Sequence, residues 1–166
     1  ELGRDAIPDE TTILNFRHLL EAHDLTKAIF DAVSAHLEDK GALLRGGTIM
    51  DATLIAASPS TKNIDGKRDP EMSQSKKGNQ WYFGMKAHIG VDSRTKLIHS
   101  MVTTSANVHD YQVLPDLLHG EETPVWGDAA YSGQRQAITD YAPRARDFTQ
   151  AKGSRNRKLT EAELAR

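Results

Sequence analysis

At Gly47 the spacing of apolar residues changes, and that change limits the fold more than any single motif does. Before it the pattern is helical. Asp9 can cap a helix in which Ile13, Phe16, Leu19 and Leu20 recur at helical spacing. From Leu25, the residues Leu25, Ile29, Val33 and Leu37 make a second stripe, closed by a basic last turn and a glycine stop at Lys40-Gly41. After Gly47, Thr48-Ile49-Met50-Asp51-Ala52-Thr53-Leu54-Ile55 is apolar and β-branched, as a central strand requires. The sequence therefore predicts a small helical segment over residues 1–44, acidic outside and apolar within, and an α/β domain over residues 45–166.

The same rules place the rest of the domain. Residues 56–79 have no periodicity and are expected to be irregular and largely exposed. Trp81 to Asp92 reads as a second strand, Ser93-Arg94 as a turn, and Lys96 to Thr104 as a third strand that completes a hairpin. Asn107-Val108-His109-Asp110 caps a helix carrying Val113, Leu114, Leu117 and Leu118, stopped at His119-Gly120. Pro124 to Asp128 is a fourth strand, Gln134 to Tyr141 a helix, Ala145 to Thr149 a fifth strand, and Leu159 to Leu164 the start of a last helix. Three strands, a helix, a strand, a helix, a short strand and a helix outline a ribonuclease H-like fold, a mixed sheet with flanking helices. Other α/β folds share that order. In the ribonuclease H-like arrangement the first and fourth strands are neighbours, which brings Asp51 beside Asp128.

Composition narrows the classes. The 166 residues suffice for one domain with a core plus an appendage, and no apolar run approaches the 18 or so residues of a membrane span. No signal peptide opens the chain. The absence of cysteine excludes disulfides and thiolate zinc sites, and fits an intracellular protein. The net charge of −2 hides an asymmetry: residues 1–40 hold nine acids against four bases, and the remainder 14 acids against 17 bases. Arg144, Arg146, Lys152, Arg155, Arg157 and Lys158 lie close together with only Asp147 between them, a pointer to polyanions, though a solvated loop would look the same.

Two aspartates have the setting of a site. Asp51 follows Thr48-Ile49-Met50, and Asp128 follows Val125-Trp126-Gly127 and precedes Ala129-Ala130-Tyr131-Ser132-Gly133. Paired carboxylates suit phosphodiester chemistry, in which two Mg²⁺ ions roughly 3.5–4 Å apart activate a nucleophile and stabilise a leaving oxygen. Without a cation two adjacent aspartates repel, and one is driven to keep its proton. Both could equally be ordinary strand-end residues. His88, Asp92, His99, His109 and Asp110 invite a second reading as a His/Asp metal hydrolase, but His88 and His99 fall on predicted strands rather than helices. Trp126 and Tyr131 are expected to pack around Asp128. Lys86, on the strand beside Asp51, could meet a phosphate or face solvent.

Several stretches together resemble a known family. They are Pro8-Asp9-Glu10-Thr11-Thr12-Ile13-Leu14-Asn15-Phe16-Arg17-His18-Leu19-Leu20-Glu21, Gly47-Thr48-Ile49-Met50-Asp51-Ala52-Thr53, Gly84-Met85-Lys86-Ala87-His88, Ala106-Asn107-Val108-His109-Asp110, and Gly127-Asp128-Ala129-Ala130-Tyr131-Ser132-Gly133. In this order they are similar to the DDE transposases of bacterial insertion sequences, closest to the IS5 type in the IS4/IS5 group. The resemblance implies that Asp51 and Asp128 are the first two acids of the DDE triad and hold Mg²⁺ or Mn²⁺, Asp51 bridging two ions and Asp128 holding one. It implies DNA as partner, cut at the element's ends and then joined through the freed 3′-hydroxyl to target DNA, by a homodimer or larger assembly on DNA in the bacterial cytoplasm, at the nucleoid and away from membranes. The DNA contacts expected are Lys86, Arg144, Arg146, Lys152, Arg155, Arg157 and Lys158. The family's third acid is a glutamate in a Tyr/Arg/Glu/Lys signature on a helix after the last strand. Glu161 and Glu163 only approach it, so the third acid is expected beyond Arg166, in a longer protein of which this is a piece. Two alternatives stay open: a catalytically incomplete DNA-binding or regulatory derivative, and a metal-dependent nuclease of the same fold without strand transfer.

Overall fold

A computed structural model of the chain describes residues 7–154 and 156–164. The chain divides into two compact units, Glu1–Ala42 and Leu43–Arg166. In the first, α1 (Glu10–Ala22) starts where the sequence places it. Asp9 is extended, and its carboxylate accepts from both the backbone N–H and the hydroxyl of Thr12, at 2.7 and 2.6 Å. Helix α2 (Leu25–Asp39) ends in a Schellman arrangement, with Gly41 N donating to the Glu38 carbonyl and Ala42 N to that of Leu37. The expectation of an apolar interior is not met. Neither helix buries a residue, and Ile13, Phe16, Leu19, Ile29 and Val33 all stay about half exposed. A two-helix unit has no third layer, so its stripes meet too little surface to leave water.

The second unit is a mixed α/β domain built on β1 (Thr48–Ala56). Strand β1 pairs antiparallel with the long β3 (Gln80–Asp92), from Thr48 opposite Asp92 to Ala56 opposite Gly84. It pairs in parallel with β5 (Pro124–Gly127), from Thr48 opposite Val125 to Met50 opposite Gly127. Strand β4 (Ile98–Ser105) covers the other edge of β3, and β6 (Arg146–Asp147) runs parallel to β5. The path β4-β3-β1-β5-β6 is the ribonuclease H-like sheet, and the first and fourth strands of the sequence reading are neighbours in it. Strand β6 is longer in its bonding than in its name. Arg146, Phe148 and Gln150 donate in turn to the carbonyls of Thr123, Val125 and Gly127.

Residues 57–72 are irregular and almost wholly exposed, as expected, but Ser73–Lys77 forms a further strand, β2, hydrogen-bonded to Gln80–Gly84. Gly84 is the pivot at which β3 exchanges its partners. Its φ is 151°, and a Cβ there would fall 2.0 Å from the Ile55 carbonyl oxygen, so only glycine fits.

The expected helix after Asn107 is broken into a 3-10 turn (Asp110–Val113) and one α turn, α3 (Leu114–Leu117). Pro115 accounts for the break, because a residue without an N–H is accommodated only in the first turn of an α-helix. His109 does not cap it through its side chain and instead stacks on Tyr111. Helix α4 (Arg135–Tyr141) follows a second 3-10 turn (Ala129–Tyr131), and α5 (Glu161–Leu164) closes the described chain. Met50, Val113, Leu114, Leu117, Val125, Tyr131 and Ile138 form the core between one sheet face and α3 and α4. Burying each such side chain contributes ~1.5–3 kcal/mol. Among the described residues, no helix is long and apolar enough to cross a membrane.

Candidate active site: an acidic cleft at the end of the β1–β5 ladder

The parallel ladder between β1 and β5 ends at Met50 and Gly127, and the next residue on each strand is an aspartate. Met50 and Gly127 face the core, so alternation turns Asp51 and Asp128 to the opposite side. Both are exposed, and both line one open cleft of about 320 Å³ with Ile49, Trp126, Phe148 and Gln150. Asp51 Oδ1 accepts from the N–H of Ala52 at 2.8 Å, and Asp128 Oδ1 from that of Ala130 at 2.9 Å. Those bonds orient each carboxylate locally; the other oxygen of each makes no hydrogen bond among the described residues. Asp128 thereby caps the Ala129–Tyr131 turn, which fixes the direction in which the chain leaves the strand.

Trp126 and Phe148 stack at 5.8 Å with their planes 23° apart and form a wall of the cleft. Tyr131 packs on the other side of the sheet. Its ring lies against Gly127, where a Cβ would stand 2.9 Å from the ring carbon Cδ2, so the residue before Asp128 must be small. Tyr131 is fully buried, and its hydroxyl has no hydrogen-bond partner. An unsatisfied buried hydroxyl costs ~1–3 kcal/mol. Burial pushes the Tyr131 pKa well above the ordinary phenol value, and the charges of Asp110, Asp128 and Asp51 push it further.

Asp110 opens the first 3-10 turn, which packs against the Ala129–Tyr131 turn that follows Asp128. Lys86, whose side chain is 17% exposed, sends its ammonium to Asp110 Oδ1 and to the Val108 carbonyl, each at 2.8 Å. It therefore faces neither solvent nor an open phosphate site. His88 is fully buried: its Nε2 is 2.8 Å from the Thr104 hydroxyl, and its unbonded Nδ1 is 3.8 Å from Asp110 Oδ1. Burial lowers the His88 pKa, opposed by Asp110 and reinforced by Lys86, so the ring is neutral near pH 7. Sequence reasoning missed this cluster. The signal for it was the inward period of β3, which sets Lys86 and His88 on the Met50 face, where two polar side chains need a partner.

The basic residues are placed as follows. Arg144 pairs with Glu121 and Arg157 with Glu163, all on the surface or near it. Arg146 is exposed in a groove of about 440 Å³ with Arg135 and Phe148. Phe148 and Gln150 then form the cleft wall, and Lys152, also exposed, donates its backbone N–H to the Ser132 hydroxyl just after the Asp128 turn. Arg146 and Lys152 thus bracket the acidic cleft along the chain. Lys158 is exposed, and Arg155 lies outside the described residues. Among the described residues, no three His, Cys, Asp or Glu side chains come together as a metal site.

Residues 43–165 match the family described as the transposase DDE domain. That stretch covers the α/β domain and most of the chain, so the chain belongs to this family of transposition enzymes. No solved structure matches the chain.

Proposed function

We propose that this member of the transposase DDE domain family is an IS5-type transposase that cuts DNA at insertion-sequence ends and joins it to target DNA, with Asp51 and Asp128 as its catalytic pair. The observation that supports this reading most is the setting of the two carboxylates: both just past the same end of one parallel ladder, open to one cleft, each with an uncommitted oxygen. The donor set is oxygen alone, which fits Mg²⁺ or Mn²⁺; Mg²⁺ usually takes one or two carboxylates and completes its shell with water and substrate phosphate. Such an ion, when bound, activates a nucleophile and stabilises the leaving oxygen of an in-line displacement.

The chain's own residues would do the rest. Asp51 and Asp128 hold the cation, and the Ala130 N–H orients Asp128. The Trp126–Phe148 wall limits water on one side of the cleft. Arg146 and Lys152 take DNA phosphates beside the cleft, and Arg144, Arg155, Arg157 and Lys158 extend that contact, so binding is steeply salt-dependent. We assign Lys86 to Asp110 rather than to DNA, since a phosphate would have to displace a partly buried ion pair. A homodimer or larger assembly would hold the two element ends.

In a cleavage assay on terminal-repeat DNA with Mg²⁺ or Mn²⁺, Asp51→Ala and Asp128→Asn are each expected to lower the rate about a thousandfold or more. Unchanged cleavage by either variant refutes the assignment. A wild-type protein that cuts DNA without joining the 3′ end to target is a nuclease of the same fold.

A further inference from the structure

Among the described residues, three that are not glycine have a positive φ: Asp24 at 50°, Arg45 at 49° and Lys96 at 63°. Two of them have a reason. Aspartate is one of the residue types that tolerate the left-handed region, and the Arg45 N–H is held by the buried Asp92 carboxylate at 2.6 Å. Lys96 ends the loop 93–96 between β3 and β4, where its N–H donates to the Asp92 carbonyl at 2.9 Å and the Asp92 N–H to that of Leu97 at 2.8 Å. A glycine would close the same turn without strain. A lysine kept there works against stability, and strain of this kind collects where a side chain is needed for function. Lys96 lines an open hollow of about 370 Å³ together with Ile49, Ser93 and Trp126. Ile49 and Trp126 are register partners, each two residues before the aspartate that follows its strand's ladder, so they share the face of Asp51 and Asp128 and line the acidic cleft as well. The Lys96 ammonium donates to the Ser93 carbonyl at 2.7 Å, which holds it at the rim of the hollow with two of its three N–H donors to spare.

We propose that this hollow is a phosphate subsite for the DNA strand that lies in the acidic cleft, with Lys96 as its cation. This rests on the reading of Asp51 and Asp128 as the cutting pair. Two residues of strand put the Ile49–Trp126 floor ~7 Å from the carboxylates, a step of about two nucleotides at ~3.4 Å each. A strand that passes from the carboxylates over Trp126 therefore brings a phosphate to the ammonium. Arg146 lies on β6 and Lys96 on the β3–β4 loop, on opposite sides of the β1–β5 ladder, so the strand is drawn to the acidic pair from both sides. Two exposed carboxylates repel DNA on their own, and a lysine fixed across the ridge offsets that repulsion.

Lys96→Gly, Lys96→Arg and Asp51→Asn are compared with the wild type in the full chain, by thermal unfolding, by binding of a labelled terminal-repeat duplex over a range of salt, and by cleavage. Lys96→Gly is expected to melt at the wild-type temperature or above it, because the left-handed position is relieved. It should bind the duplex about five- to tenfold more weakly at low salt, with a salt slope shallower by ~1. Its cleavage should be slow at limiting DNA and recover at saturating DNA. Lys96→Arg keeps the charge and should keep the slope and most of the affinity. Wild-type affinity and slope in Lys96→Gly overturn the proposal, and so does an arginine variant as weak as the glycine one. A melting temperature below the wild type in Lys96→Gly also overturns it, since the lysine would then belong to the fold. Asp51→Asn is expected to bind the duplex without cutting it; cutting at the wild-type rate would mean that the acidic pair is misread, a failure separate from that of Lys96.

Discussion

The two ends of the parallel β1–β5 ladder hold carboxylates in opposite conditions. At its start, Asp92 lies opposite Thr48, fully buried, and its two oxygens accept from the N–H groups of Leu44, Arg45, Arg94 and Thr95 at 2.6–3.0 Å. Glu122, also fully buried, accepts from the Thr48 hydroxyl and from the N–H groups of His119 and Gly120. Just past Met50, Asp51 and Asp128 are exposed and have one backbone bond each. The first pair is satisfied by the fold: Asp92 pins the chain entering β1 to the β3–β4 turn, and Glu122 ties the approach to β5 to Thr48. The second pair is left under-bonded at the mouth of a cleft. Carboxylates saturated from within are structural, whereas those with spare oxygens facing a cleft are available for chemistry.

That contrast predicts a reversal between stability and activity. Asp92→Ala should destabilise the domain by ~3–5 kcal/mol, because four backbone donors lose a buried anionic partner. Asp51→Asn should alter stability by no more than ~0.5 kcal/mol, as exposed changes usually do. Urea unfolding of both variants checks this, and equal losses would erase the distinction between the two ends.

Acid should attack the satisfied end. His99 is buried beside Thr48, 3.1 Å from its hydroxyl, and burial, then the neighbouring His119, lowers its pKa to about 4 against the attraction of Glu122. Its folded-state pKa lies below the unfolded value, so its contribution is present above pH ~6.5 and is lost as pH falls towards 4. The loss amounts to at most ~3 kcal/mol. Asp92 adds to it at lower pH: burial raises its pKa, but the backbone N–H groups of Thr95, Arg94 and Arg45 together outweigh that and hold it below the usual carboxylate range. Unfolding measured at pH 7 and pH 4.5 should show the drop, with a shallower slope in His99→Asn. A slope unchanged by that substitution would move the acid sensitivity elsewhere.

What the sequence made legible follows from what packing leaves in a pattern. Strands β1, β3, β4 and β5 border a core, so their apolar residues carry it, and the ladder that puts Asp51 beside Asp128 follows from their order. Strand β2 borders solvent and reads Ser-Gln-Ser-Lys-Lys, which has no apolar alternation to detect. Its one trace was the two-residue Gly78-Asn79 turn, a hairpin signal. The helical stripes of α1 and α2 were plain in the sequence, yet a stripe shows only that a face could be buried, and here it is not. The Lys86–Asp110 pair joins residues 24 apart across a turn and a strand, and Glu122 meets Thr48 across 74. Such pairings arise from the folded path alone, so neither partner betrays the other in the sequence.

The most direct test of the acidic cleft is a terbium titration of the protein, read through Trp126 luminescence, in the wild type and in Asp51→Asn and Asp128→Asn. One saturable site in the wild type, weakened tenfold or more by either substitution, is the predicted result, since each asparagine removes one of two anionic oxygen ligands. Equal titration curves for all three proteins would contradict a shared cation site at Asp51 and Asp128.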